Sequence, residues 1–137
     1  MRTCGATYDA ESEAAGNGPE EVYLTPEELP GFCAGALAGA GWGGDSLPTF
    51  EFDVPDDDEL AGWHEGATGV IHMHPRLLSR WHVLHELAHW LRPLDGHGAQ
   101  YTGTMVGLVR AVMGERTARG LLEDYRVRGL PVDEGWT

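Results

Sequence analysis

His82-Val83-Leu84-His85-Glu86-Leu87-Ala88-His89-Trp90 is the stretch on which the reading of this chain turns. It contains His-Glu-x-x-His. Four residues of α-helix turn through about 400°, so His85 and His89 project from one face, about 6 Å apart. Two imidazoles so placed can both reach one ion at about 2.0–2.1 Å. Glu86 lies about 100° around the helix from His85, too far off-axis to be a natural third ligand. A carboxylate there is placed to take a proton from a water that the ion has acidified, which is the division of labour hydrolysis requires.

The surrounding pattern supports a helix at this point. Leu77, Trp81, Leu84, Ala88 and Leu91 recur at steps of four, three, four and three, which predicts one apolar face from just after Pro75 to Pro93. Leu84 and Ala88 fall opposite His85 and His89, so the helix is expected to bury one face and present the ligands on the other. Asp95-Gly96 then turns the chain and His97 opens the next segment. A hydrolytic zinc site takes three protein ligands and keeps a fourth position open. His97 is the leading candidate for the third ligand and Asp95 the next. Gly98 would let the backbone pass close to the metal helix.

Other polar residues are candidates for lesser roles. His82, one turn before His85, could line the cleft or orient a water. His72 and His74 share one side of an expected strand and could form the cleft wall. Tyr101, one turn after His97, could hydrogen-bond a developing oxyanion, with Tyr8 and Tyr125 as rivals. Asp95, Glu123 and Asp124 are chemically able to support a ligating His, but sequence assigns none of them to that task.

Outward from this core the chain divides into helices, then strands, then helices. An Ala/Glu-rich helix is expected around Thr7–Ala15, ending in Gly16-Asn17-Gly18-Pro19, with residues 1–18 loosely packed. Thr25, Pro26 and Glu28 signal the start of a second helix, continued by Leu29, Phe32, Cys33, Ala36, Leu37 and Ala40 and closed by Gly41-Trp42-Gly43-Gly44. Thr49–Asp53 alternates, with Phe50 and Phe52 on one face. Further strands are expected at Leu60–Glu65 and Gly69–His74, with the acidic run Asp56–Glu59 a solvated turn. Helices follow from about Gly98 to Met113, and from Glu115 to Arg128 after Gly114. The expectation is a single α+β domain spanning 1–137, with a small, mostly antiparallel sheet packed on the metal helix.

Composition sets limits on partners. The 137 residues carry nine Arg, no Lys and 22 acids, a net charge of −13. Counterion release to phosphate is closed to such a surface, so neither nucleic acid nor an anionic membrane is expected as a partner. The charge is uneven: residues 1–75 hold fifteen acids and only Arg2, whereas residues 76–128 hold eight Arg and five acids. Six of the seven His lie between His72 and His97. Cys4 and Cys33 show no CxxC spacing and read as reduced thiols of a cytoplasmic protein. No apolar run is long enough to span a bilayer, and the first residues have no secretory signature.

The run from Gly69 to Val127, including IHMHPRLLSRWHVLHELAHWL and DGHGAQYTGTMVGLVRAVMG, resembles the short zinc metallohydrolases of actinobacterial type, in which a His-Glu-x-x-His helix is followed by His-Gly and an aromatic. The likeness extends to TYDAE and LTPEELPGF near the start. It implies a minimal zincin-like fold, with His85, His89 and His97 holding one Zn²⁺ and Glu86 as catalytic base. A looser similarity links the chain to SprT-like proteases, from which it departs at Ala99-Gln100 and Tyr101. The expected activity is therefore zinc-dependent hydrolysis of a peptide or protein. A protease directed at one protein partner, as in ImmA-type proteins, and a non-catalytic module closed by a fourth ligand are the alternatives. The same ligands would also accept Fe²⁺, Co²⁺ or Ni²⁺.

Overall fold

The computed structural model describes residues 10–11, 23–42, 47–53, 62–65, 69–75, 78–93, 95 and 97–133, with backbone only at 62–65. Within these residues the order is helix, three strands and three helices, an α+β arrangement. The acidic run at 56–59, Cys4, Tyr8 and Leu77 lie outside the described residues.

Helix α1 spans Leu29–Gly39 and is entered through a short 3₁₀ turn, Pro26–Glu28. The Thr25 backbone N–H donates to Glu28 Oε1 at 2.8 Å, half of the capping box that the sequence announces. Leu29, Cys33, Ala36 and Leu37 are buried from this helix, and Phe32 is half-buried. Burial pushes the Cys33 thiol up to about 12, so it stays neutral and unreactive. Gly41, at φ 85°, adopts the left-handed conformation that lets the chain leave the helix.

Strands β1 (Thr49–Glu51), β2 (Gly62–Glu65) and β3 (Val70–Met73) form one sheet in the order β1-β3-β2. β2 pairs antiparallel with β3, whereas β1 pairs parallel with it, Glu51 lying in register with His72. The expected mostly antiparallel sheet is thus corrected to a mixed one. The short link through Gly69 (φ 73°) commits β2 to one flank of β3, and β1 takes the remaining edge running the same way as β3. The first strand is also shorter than its alternating pattern predicts. Phe50 is half-buried while Phe52 is past the strand end and exposed, their rings stacked at 6.4 Å.

Helix α2 spans Arg80–Leu91 and carries the His-Glu-x-x-His motif. It begins later than the position after Pro75, because Ser79 caps it by accepting from the His82 N–H at 3.3 Å. Ser79 is itself tied down by a bridge to Tyr23, and Leu24 N–H donates to Leu78 O at 2.8 Å. The expectation of one buried and one presented face needs correction. Trp81, Val83, Leu84, His85, Glu86, Leu87 and Ala88 are all buried, so α2 is enclosed on most sides by its neighbours.

Helices α3 (Ala99–Met113) and α4 (Glu115–Val127) follow, separated by Gly114 at φ 96°. α3 packs against α1, α2 and α4 and so forms the centre of the helical layer. Tyr101, Met105 and Leu108 from α3 and Leu121 and Tyr125 from α4 are fully buried. Residues 131–133 then return across the start of α3. Thr102 Oγ1 donates to Pro131 O at 2.6 Å, and Asp133 N–H donates to Ala99 O at 3.0 Å. Gly103 makes this approach possible, since a Cβ there would stand 2.2 Å from Asp133 O. Gly103→Ala is expected to lower the thermal unfolding midpoint. The overpacking cost of about 1–3 kcal/mol outweighs the ~1 kcal/mol gained in helix propensity. Circular dichroism against temperature checks it.

Of residues 1–18 only Ala10 and Glu11 are described, and both are helical and completely buried. No helix among the described residues is long and apolar enough to cross a membrane.

Candidate metal centre

One turn of α2 brings His85 and His89 onto the same face, and the chain returns after Pro93 to place His97 against them. His97 Nε2 lies 3.0 Å from His89 Nε2 and 3.4 Å from His85 Nε2. The ligand nitrogens of a tetrahedral zinc ion with bonds of about 2.05 Å stand about 3.3 Å apart. The three histidines therefore fit a single tetrahedral cation, and their donor atoms are all neutral-capable imidazole nitrogens, a set that suits zinc. His85 is 1% exposed, while His89 and His97 are half-buried. Burial, followed by the charge of His85, pushes His97 down to about 4, so it is a neutral donor at physiological pH.

Glu86, next to His85, is 4% exposed, and its Oε1 has no hydrogen-bond partner among the described residues. Burial pushes its carboxyl up to about 7, with His85 opposing and Glu11 adding to the rise. An orphaned buried oxygen is costly, and such groups cluster where chemistry uses them.

Asp95, the rival third ligand, does something else. Its Oδ2 accepts the Tyr101 backbone N–H at 2.9 Å and caps the first turn of α3. Gly98 gives room to this carboxylate, since a Cβ at Gly98 would meet both Asp95 oxygens at 2.8 Å. The close approach expected of Gly98 is therefore to Asp95 rather than to α2.

The lesser candidates separate clearly. His82 stacks on Trp81 with ring centroids 4.0 Å apart, and its Nδ1 lies 2.6 Å from Ser79 Oγ. Burial, then the charge of His85, pushes it down to about 4. His72 and His74 are buried, at 7% and 4% exposure, rather than open on a cleft wall. His72 Nδ1 pairs with Asp53 at 2.8 Å. Glu51, Asp53 and His72 do converge on one side of the sheet, but both acids are exposed and the His–Asp pair accounts for the grouping. Among the described residues, no fourth His, Cys, Asp or Glu joins His85, His89 and His97.

The residue that sequence reasoning did not single out is Glu11. Its carboxylate is wholly buried, with Oε1 2.6 Å from His85 Nδ1. Tyr101 and Tyr125 each donate a hydroxyl hydrogen to Oε2 at 2.6 Å. Burial alone would push the Glu11 carboxyl up. The charge and hydrogen bond of His85, with those of the two phenols, more than reverse this and hold it below its ordinary value. His85 is conversely held above its usual value: burial opposes this, and Glu11 overcomes it. The Tyr101 hydroxyl is thus spent on Glu11, not free for an oxyanion, while its ring stacks on His89 at 4.6 Å. Glu123 and Asp124, the acids considered for this place, make no such contact with His85 among the hydrogen bonds of the site.

No family model, no curated protein and no solved structure matches this chain. The arrangement of the side chains must carry the functional argument.

Proposed function

We propose that the protein is a small zinc-dependent metallohydrolase of zincin-like architecture, acting as a peptidase. The observation that carries this reading is the convergence of the three Nε2 atoms beside a buried carboxylate with an orphaned oxygen. His85, His89 and His97 would hold the ion. Bound there, zinc supplies Lewis acidity, lowering the pKa of a water and polarising a scissile carbonyl.

The remaining steps belong to the chain's own residues. Glu86 accepts the proton of the attacking water on its free Oε1, and returns it to the leaving amine. A carboxyl pushed up to about 7 by its surroundings is a stronger base than an exposed Glu, which suits a group that must both take and give back a proton. The enclosure of α2 keeps bulk water from most of the helix, which strengthens electrostatic interactions there.

A metal-stabilised binding module is the second reading, and one observation counts against it. Its fourth ligand was to be Asp95 or His82, yet Asp95 caps α3 and His82 faces Ser79. With no fourth His, Cys, Asp or Glu joining the three histidines among the described residues, a position left for water favours catalysis. Specificity for one protein partner, as in ImmA-type proteases, remains compatible with the same chemistry.

The deciding experiment is metal analysis of the purified protein together with a mixed peptide library. One zinc per chain, and cleavage that chelation abolishes and zinc restores, is the expected result. Protein that binds no stoichiometric divalent metal would overturn the reading.

A further inference from the structure

We propose that Glu11 is the positioning residue of the metal centre, holding His85 in the tautomer whose proton sits on Nδ1 so that Nε2 points its lone pair at the ion. This rests on the three-histidine metal reading and adds a residue 74 positions away in sequence.

The argument is an inventory of hydrogens. A carboxylate offers only acceptors, two oxygens with about four lone-pair sites. Glu11 faces three groups: His85 Nδ1 at Oε1, and the hydroxyls of Tyr101 and Tyr125 at Oε2, each at 2.6 Å. Three donors on one ionised carboxylate satisfy every group with no hydrogen left over. The opposite tautomer of His85 fails this test. It would set the Nδ1 lone pair against Glu11 Oε1 at 2.6 Å with no hydrogen between them.

Tyr101 makes the selection stricter. Its oxygen also lies 2.6 Å from His85 Nδ1, and its one hydrogen is directed at Glu11 Oε2. The Tyr101 oxygen is therefore a second acceptor for the same Nδ1–H. Two acceptors converge on one nitrogen, and both require it to be protonated. The other ring nitrogen, Nε2, is the one 3.4 Å from His97 Nε2, where the ligand set closes. A ligating His whose distal N–H is held by a carboxylate gains basicity and a fixed ring orientation. Because Glu11 is completely buried, nothing in solvent can substitute for it.

The test pairs Glu11→Gln with Leu29→Ala, each titrated with zinc in competition with a chromophoric chelator. Glu11→Gln removes the carboxylate that orients His85 and should weaken zinc binding about 10–100-fold. Leu29→Ala removes buried apolar volume and no hydrogen bond of the Glu11 cluster, so it should cost stability while zinc affinity stays that of wild type. The visible spectrum of the Co²⁺-loaded protein should shift in Glu11→Gln and not in Leu29→Ala. If both variants lower only the unfolding temperature and bind zinc as wild type does, the residue is structural and the proposal falls.

Should Glu11→Gln fail to fold, ¹⁵N shifts of the His85 ring in zinc-loaded wild type decide instead. A protonated Nδ1 supports the proposal, and a protonated Nε2 overturns it. Wild-type protein that binds no zinc overturns the metal reading and this one with it, whereas zinc-binding wild type with an equally tight Glu11→Gln overturns this one alone.

Discussion

Glu86→Gln is expected to lower peptide hydrolysis by about 10²–10⁴-fold while one zinc per chain remains bound. The reasoning separates the two functions of the helix. His85 and His89 would face an ion from positions a turn apart, and Glu86 is not in that histidine group. Gln keeps the size of Glu and fills the same buried space, so the fold should tolerate it; an amide, however, cannot accept a proton from water at any ordinary pH. Because Oε1 of Glu86 has no hydrogen-bond partner among the described residues, no structural bond is lost by the change. The measurement is the initial rate on whichever library peptide the zinc-loaded wild type cleaves, with metal content determined on the same samples. Equal rates in the two proteins would remove Glu86 from the mechanism, and loss of metal would show that it supports the ligands instead.

His97→Ala is expected to have the largest effect on the metal itself. Losing a ligand should cost zinc affinity more than the 10–100-fold that loss of an outer-shell partner costs. Zinc at a thousand times its dissociation constant stabilises a folded protein by about 4 kcal/mol, and that increment should vanish in the variant. Asp95→Ala is the informative companion. Asp95 accepts the Tyr101 N–H at 2.9 Å, so its removal should cost about 0.5–2 kcal/mol of stability through the lost cap, with zinc still bound. Thermal unfolding with and without zinc separates the two. If Asp95→Ala loses metal and His97→Ala keeps it, the third ligand has been misassigned.

The parts of this molecule that sequence made legible are those with local causes. Helix α2 announces its pitch through Leu84, Ala88 and Leu91, and the spacing of His85 and His89 needs only that pitch. His97 was legible because Pro93 ends the helix and the return is short. Helices α3 and α4 were delimited by Gly98 and Gly114; Gly114, at φ 96°, answers to backbone conformation, whereas Gly98 makes room for the Asp95 carboxylate.

What was not legible depends on packing between distant segments. The parallel pairing of β1 with β3 leaves no trace in either strand's composition. The enclosure of α2 could not be seen because His85 and Glu86 are polar residues that burial normally excludes; His85 is admitted by Glu11 and Tyr101, while Glu86 is buried with an oxygen unpartnered among the described residues. Glu11 is the clearest case. Asp9, Glu11 and Glu13 all fall within the expected first helix, and only contact with Tyr101 and Tyr125, 90 and 114 residues on, distinguishes one of them. The available signal was an acid in an Ala-rich helix together with a His that needs an orienting carboxylate, which narrows the choice without making it. Tyr101 was singled out as functional, but its neighbour rather than its position in sequence determines what it does.

The Glu11 cluster also bears on the order in which the site comes into being during synthesis. A ribosome that has released the chain as far as residue 100 has exposed His85, His89, His97 and Glu86, yet neither phenol. A carboxylate cannot be taken out of water until Tyr101 and then Tyr125 arrive to replace its hydration, and Tyr125 lies on the last helix. Pairings of such long sequence separation form late, after the loops between them have closed. The nascent polypeptide therefore carries the motif well before it carries the finished cluster, and ordering of the three histidines should follow the emergence of Tyr125 rather than translation of the motif.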